Sequence, residues 1–252
     1  MNNQLIDYTL HLADNSLLLG QRNAEWCGHG PILEQDIAIT NISLDLIGQA
    51  RSFYQYAASL INESPGKPIT IVTEDSLAYL RTEREFKNCL LVEQPNGDWA
   101  QTILRQFLFS SYQYLLYQQL QQHTNETLSA IAEKSLKEVT YHLRWSSEWV
   151  IRLGDGTEES RNRMQKAITE LWGYTGELFI PVSYEKEMIT NLPSLKESWL
   201  TKVKTVFDEA TLSIPENIFM QTGGKTGIHT EHLGYILTQL QYLQRTYPGC
   251  EW

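Results

Sequence analysis

The chain has 252 residues, enough for one domain with a sizeable core, and its make-up of 42% hydrophobic and 20% charged residues is that of a globular protein, not a disordered or fibrous one. A formal charge of −10, from 20 basic against 30 acidic residues, repels a phosphate backbone and argues against nucleic acid as a partner. Cys27, Cys89 and Cys250 lie far apart with no CxxC spacing, no apolar run reaches the length of a membrane span, and the N-terminus lacks a signal peptide's basic start and apolar stretch; a cytoplasmic protein without a membrane partner is expected.

Glycine and proline are bunched, and the stretches between them are rich in Leu, Ala, Gln and Glu, which favours helices. Leu5, Leu12 and Leu19 stand a heptad apart and predict a helix from Gln4 to Gln21. Gly28, Gly30 and Pro31 turn the chain into a second helix, about Leu33 to Ile61, along which Ile42, Leu46, Ala50, Phe53, Ala57 and Leu60 recur at steps of three and four. Ser64-Pro65-Gly66-Lys67-Pro68 stops it, and Ile69-Thr70-Ile71-Val72 is a short run ambiguous between strand and coil. A third helix is predicted from Glu74 to Leu91, ending at the tight turn of Pro95, Asn96 and Gly97, after which Asp98 can cap the next. That fourth helix, about Trp99 to Gln122, is apolar around most of its circumference and should be central. A fifth follows Thr124-Asn125 and runs to Leu153, closed by Gly154-Asp155-Gly156. Helices of about Glu158 to Phe179, Leu195 to Leu212 and Thr230 to Tyr247 complete eight, the last preceded by the glycine-rich Gln221–Gly227. Long helices joined by short turns pack antiparallel. The reading is all-α: one domain over 1–252, a four-helix bundle with additional peripheral helices.

A bundle core holds a metal pair when a Glu from each of two helices and Glu-x-x-His from each of the other two project inward. Glu25 at the end of the first helix, Asp45 in the second and His142 on the inward stripe of the fifth are the residues that could approach one another. The fourth helix, however, has no Asp or Glu between Trp99 and His123, and Val139 fills the position three before His142 that the motif reserves for Glu. A lone His142 on an apolar stripe also fits a satisfied core histidine. His229 and His232, three apart, have zinc spacing, but Thr230 and Glu231 between them make a helix start the preferred reading. Lys225 lies among Gly223, Gly224 and Gly227, a loop able to meet a phosphate of a ligand or partner, although the P-loop spacing is absent.

The segments Glu25–Pro31 (EWCGHGP), Leu44–Arg51 (LDLIGQAR), Leu91–Trp99 (LVEQPNGDW), Tyr141–Arg144 (YHLR) and Gly223–Gly234 (GGKTGIHTEHLG) resemble the C-subunit family of the bacterial phenylacetyl-CoA epoxidases, multicomponent monooxygenases of phenylacetate breakdown. The resemblance runs nearly end to end. It implies a ferritin-like fold and a structural partner for a catalytic subunit that carries the di-iron centre, with a small accessory subunit and a flavin and iron–sulfur reductase in the assembly. It implies no cofactor for this chain. The family's catalytic subunit is also similar to this chain: its ligands fall on Glu25, in the Asp45–Arg51 region where no histidine is present, near Ser110 or Ser111, and on Val139–His142. The resemblance therefore implies a metal site that has been lost, with Glu25, Asp45 and His142 as its remnant and Lys225, His229 and His232 in a possible ligand or partner loop. An autonomous di-iron oxygenase and a self-assembling helical protein are the alternatives. If the three remnant residues converge, Arg22, Arg51, Arg105 or Arg144 should neutralise them. Trp99, Tyr112, Tyr114, Tyr117, Trp145 and Trp149 are expected on outer faces, available to a partner.

Overall fold

A computed structural model describes residues 2–66, 69–189 and 191–250, and among these the only regular structure is helical. The α-helices are α1 (Asn2–Ala24), α2 (Leu33–Glu63), α3 (Glu74–Tyr79), α4 (Leu90–Glu93), α5 (Trp99–Leu120), α6 (Glu126–Gly154), α7 (Glu158–Leu171), α8 (Leu192–Glu209), α9 (Glu231–Leu240) and α10 (Tyr242–Thr246). None is long and apolar enough to cross a membrane. The chain forms two compact units. The first comprises the chain through Gln94, Val182–Met188 and the segment from Gly223 on; the second comprises Pro95–Pro181 and Ile189–Thr222.

In the first unit α1 and α2 form a hairpin. Gly20 lets the helices meet closely, since a Cβ there would lie 3.3 Å from that of Leu46, and Ser43 Oγ donates to the Gly20 carbonyl at 2.7 Å. The turn between them is tied by Asp36, whose carboxylate accepts from Gly30 N at 2.9 Å. That backbone bond, joined by one from Gly28, holds the Asp36 pKa below its ordinary value. Asn62 clamps Val72 through both of its amide groups, at 2.8 and 3.0 Å, so the ambiguous run after α2 is coil, not strand. Of the turn read as stopping α2, Lys67 and Pro68 lie outside the described residues.

The helix expected over Glu74–Leu91 breaks after Tyr79. Arg81 folds back, its Nε donating to the Leu77 carbonyl at 2.5 Å, and Thr82 opens a separate 3₁₀ turn capped by Glu85 at 2.7 Å. The last expected helix is likewise two, α9 and α10, parted at Gln241, whose amide donates to the Arg81 carbonyl at 3.0 Å.

In the second unit α5 is buried almost all round, with Ile103, Leu104, Phe107, Leu108 and Leu116 inward. Asp98 caps it as the sequence suggests, accepting from Gln101 N at 3.0 Å, and Asn125 caps α6 through Leu128 N at 2.9 Å. Trp199 of α8 is fully enclosed and donates its indole N–H to the Leu108 carbonyl at 3.0 Å. The helix expected over Glu158–Phe179 stops at Leu171 and continues as two 3₁₀ turns, because Gly173 lies against the backbone of Phe219 and its carbonyl accepts from Gln221 N at 2.7 Å. Three aromatics expected on outer faces are core residues instead: Tyr112, Tyr117 and Trp145 are buried, Trp145 packing edge-on against Trp99.

Candidate functional site

The polar interior of the first unit is built on one face of α1. Tyr8, His11, Asp14 and Asn15, at helical spacings of three and four, are all buried. They meet a segment whose backbone no helix satisfies. Lys87 N donates to Asp14 Oδ2 at 2.8 Å, Cys89 N donates to Asn15 Oδ1 at 2.8 Å, and the Lys87 carbonyl accepts from His11 Nδ1 at 2.6 Å. Side chains of α1 thus replace the hydrogen bonds that a continuous helix would have made there.

Three buried acids are each matched to a cation. Asp14 receives both terminal nitrogens of Arg81, one at 3.1 Å, and the Tyr54 hydroxyl at 2.5 Å. Burial, aided by the Asp14 charge, pushes the Tyr54 hydroxyl well above its usual pKa, so Tyr54 stays a donor. Arg81 also lies over the ring of Phe86 at 4.2 Å, an arrangement a planar guanidinium suits. Glu93, fully enclosed, accepts from Thr230 N and Oγ1 on one oxygen, both at 2.7 Å, and from Asn88 Nδ2 and His229 Nδ1 on the other, at 2.8 and 2.9 Å. The second nitrogen of His229 faces the Phe86 carbonyl at 3.0 Å. Two acceptors on one ring require both nitrogens protonated. Burial works against that charge, but the hydrogen bond and charge of Glu93 outweigh it, and the His229 pKa is raised. Glu185 receives Lys225 Nζ on both oxygens at 2.9 and 3.0 Å, and Val182 N at 3.0 Å.

His11 Nε2 lies 3.7 Å from Glu185. Burial lowers the His11 pKa, the Glu185 charge opposes this, and Lys225 lowers it further. A neutral ring with its proton on Nδ1 donates to the Lys87 carbonyl and leaves Nε2 to accept from Asn15 Nδ2 at 3.2 Å.

The loop around Lys225 is therefore not the open phosphate cradle that its glycines suggest. Lys225 is 1% exposed, its amine points inward to Glu185, and its carbonyl accepts from the Tyr184 hydroxyl at 2.8 Å. The glycines serve close packing. A Cβ at Gly224 would run into the Asn88 carbonyl, and one at Gly227, where φ is +81°, into that of Arg84. His229 is committed to Glu93 while His232, half-buried on α9, belongs to no metal-holding group among the described residues, so the zinc spacing assembles no zinc set.

The other residues read as a metal remnant have separate settings. Glu25 lies in the turn after α1, 3.2 Å from Arg22 Nη1. Asp45 is half-buried on α2. His142 is buried on α6 in the second unit, one turn after the buried Val139. Of the arginines considered, Arg22 does meet an acid, whereas Arg105 donates to the Pro95 carbonyl at 3.1 Å and to Asn96 at 2.5 Å. Arg51 and Arg144 are exposed beside Glu74 and Glu148. The cation that neutralises the buried acid of α1 is Arg81, which the sequence pattern did not single out. A di-iron centre does not fit this donor set. Asp14, Glu93 and Glu185 are held by protein donors, α5 carries neither acid nor histidine, and no group of three or more His, Cys, Asp or Glu among the described residues is placed to hold a metal ion.

Residues 1–252 match, from end to end, the sequence profile of a family described as phenylacetic acid catabolic protein. The chain belongs to that family. Like its family it has a ferritin-like fold, helical throughout the regular structure of the described residues. It is similar to the C subunit of 1,2-phenylacetyl-CoA epoxidase from Escherichia coli (strain K12), with 48% identity over 255 residues that cover 99% of this chain and 100% of that protein.

Proposed function

We propose that this phenylacetic acid catabolic protein is a non-catalytic structural subunit of a multicomponent di-iron monooxygenase that epoxidises the ring of phenylacetyl-CoA in aerobic phenylacetate catabolism. The observation that carries the reading is full-length similarity, at 48% identity, to a chain named as the C subunit of that epoxidase. The donor set supports a structural role. The buried carboxylates Asp14, Glu185 and Glu93 are held by Arg81, Lys225 and His229, and each pair links segments distant in sequence. In this reading the chain acts in the cytoplasm as a single ferritin-like domain, Glu25, Asp45 and His142 are what is left of a ligand set, and no cofactor is bound. The catalytic di-iron subunit is the direct partner, with the small accessory subunit and the reductase in the same assembly.

The test is co-expression with the catalytic and accessory chains of the same organism, followed by sizing and metal analysis of the complex and of this chain alone. The expected result is a stable complex whose iron belongs to the catalytic chain. Iron near a full pair, about two per chain, on this chain alone, with oxygen-dependent turnover, would overturn the structural role. Failure to co-purify would overturn the partner.

A further inference from the structure

The turn that leads into α5 carries the one Asn-Gly pair of the sequence, Asn96-Gly97. An asparagine side chain is open to attack by the backbone nitrogen of the residue that follows it, and glycine in that place hinders the attack least, because it has no Cβ beside the nitrogen. The fold requires glycine here. At Gly97 φ is +56°, and a Cβ would run into Gln101 Oε1, which reaches back from the first turn of α5. Gly97 is exposed, and its N–H has no hydrogen-bond partner among the described residues. Neither packing nor a bond holds that nitrogen back.

The carbonyl under attack is already polarised. Asn96 Oδ1 accepts from Arg105 Nη2 at 2.5 Å, and the same guanidinium, enclosed on α5, is fixed by Nη1 on the Pro95 carbonyl at 3.1 Å. A guanidinium on a carbonyl oxygen stabilises the oxyanion that forms when a nucleophile adds to the carbon. Ring closure joins Gly97 N to Asn96 Cγ and breaks the side-chain amide bond, whose nitrogen leaves as ammonia with the proton taken from Gly97. The five-membered imide then opens by addition of water. Addition at Cγ breaks the new C–N bond and leaves aspartate; addition at the backbone carbonyl carbon leaves isoaspartate, with the chain rerouted through Cγ. Water enters, ammonia leaves, and nothing is oxidised or reduced. Of the two carbonyls, that of the side chain faces the cation, whereas that of the backbone accepts from the neutral Thr102 hydroxyl at 3.0 Å. Water is thereby directed to Cγ. The carboxylate formed there replaces Oδ1 on Arg105 and turns a neutral contact into a charge-assisted one, roughly twice as strong.

We propose that Asn96 is a self-modification site: in the native fold it converts to aspartate through an imide with Gly97 N, and Arg105 both promotes ring closure and directs ring opening toward aspartate. Incubation of the purified full chain in heavy-oxygen water at mildly alkaline pH, native and in urea, tests it. Peptide mass follows the conversion at residue 96, and an endoproteinase that cuts before aspartate but not before isoaspartate assigns the product. The native chain should convert at least as fast as the unfolded one and give mainly aspartate. The unfolded chain, in which no cation polarises the side-chain carbonyl, should give mainly isoaspartate. Arg105→Lys, with helical content checked, should slow native conversion by roughly tenfold and move the product toward isoaspartate, because a lysine cannot reproduce the planar fork. Asn96→Asp, which installs the product, should raise Tm. A native chain that stays unconverted at residue 96 while the unfolded chain converts would overturn the proposal. So would isoaspartate as the main native product, an unchanged product ratio in a folded Arg105→Lys variant, or a lower Tm for Asn96→Asp. If Arg105→Lys does not fold, the comparison of native with unfolded wild type and the Tm of Asn96→Asp still decide.

Discussion

Lys225→Met removes the cation that faces both oxygens of Glu185, and its effect can be worked out from the surroundings. The two side chains are 2% and 0% exposed and the contacts are 2.9 and 3.0 Å, so neither charge is shared with water. Breaking a buried pair by deleting one partner costs about 3–5 kcal/mol, because the remaining charge is stranded. Here the Val182 N–H remains on the carboxylate and His11 lies 3.7 Å away, which places the loss near the lower end, about 3 kcal/mol. In urea, with a slope of about 3 kcal/mol/M, the midpoint should fall by about 1 M. The loss should also depend on pH. Burial, and after it Lys225, hold the His11 pKa below its ordinary value in the wild type; without Lys225 the Glu185 charge acts on the ring unopposed and that pKa moves upward. A histidine whose folded pKa is lowered costs stability as pH falls below its unfolded pKa, so the variant, with the smaller lowering, is relieved of part of that cost on the acid side. The variant should therefore be hurt least near pH 5.5 and most near pH 8. A loss under about 1 kcal/mol at both pH values, less than one buried charge pair is worth, or a loss that does not vary with pH, would refute this account of the buried cluster.

For His229→Gln, the measurement is urea unfolding against pH. The wild type should exceed the variant by about 2 kcal/mol below pH 6.5, the value of a hydrogen bond to a charged group. That advantage should fade as pH rises through the raised pKa of His229, and a gap constant up to pH 9 would contradict the imidazolium assignment. The two glycine substitutions should act in opposite directions in thermal unfolding. Gly227→Ala should cost about 2 kcal/mol or more, since it forces φ of +81° on a residue with a Cβ aimed at the Arg84 carbonyl, whereas Gly48→Ala should stabilise the protomer by about 0.5–1 kcal/mol. Matching signs would show that one of the two environments is wrongly described.

The long helices were legible because their signals are local. α2, α5 and α6 follow from apolar steps of three and four, and Asp98 and Asn125 cap within three residues of themselves. The break after Tyr79 was not legible. Leu77, Leu80, Phe86, Leu90 and Leu91 keep near-helical spacing, while the groups that claim the backbone there, His11, Asp14 and Asn15, lie more than 70 residues upstream. The partners of the loop residues were hidden for the same reason. Lys225 among glycines looks like an exposed loop until Glu185, 40 residues earlier, is seen to hold its amine, and Glu93 gives no sign of His229 136 residues later. Arginine was expected beside Glu25, Asp45 and His142: Arg22 does meet Glu25, while the buried acid of α1, Asp14, takes Arg81, which was not among the arginines considered. A signal was present in hindsight, because Tyr8, His11, Asp14 and Asn15 put four polar side chains on one face of a helix whose other core positions are mostly leucine and alanine.

The division of the ion pairs along the chain has a consequence for synthesis. Asp14 meets Arg81 within the first 94 residues, so the α1 hairpin can neutralise that acid while the ribosome is still making the second unit. Glu93 and Glu185 must wait: their cations, His229 and Lys225, emerge only with the last 30 residues of the chain. Until then the nascent first unit carries acids with nowhere to go and apolar surface it cannot close, a state in which chains aggregate or are degraded. A premature stop anywhere before residue 223 should thus abolish accumulation of the protein out of proportion to the residues removed, and a tag should be better tolerated after Cys250 than a deletion that reaches Thr230.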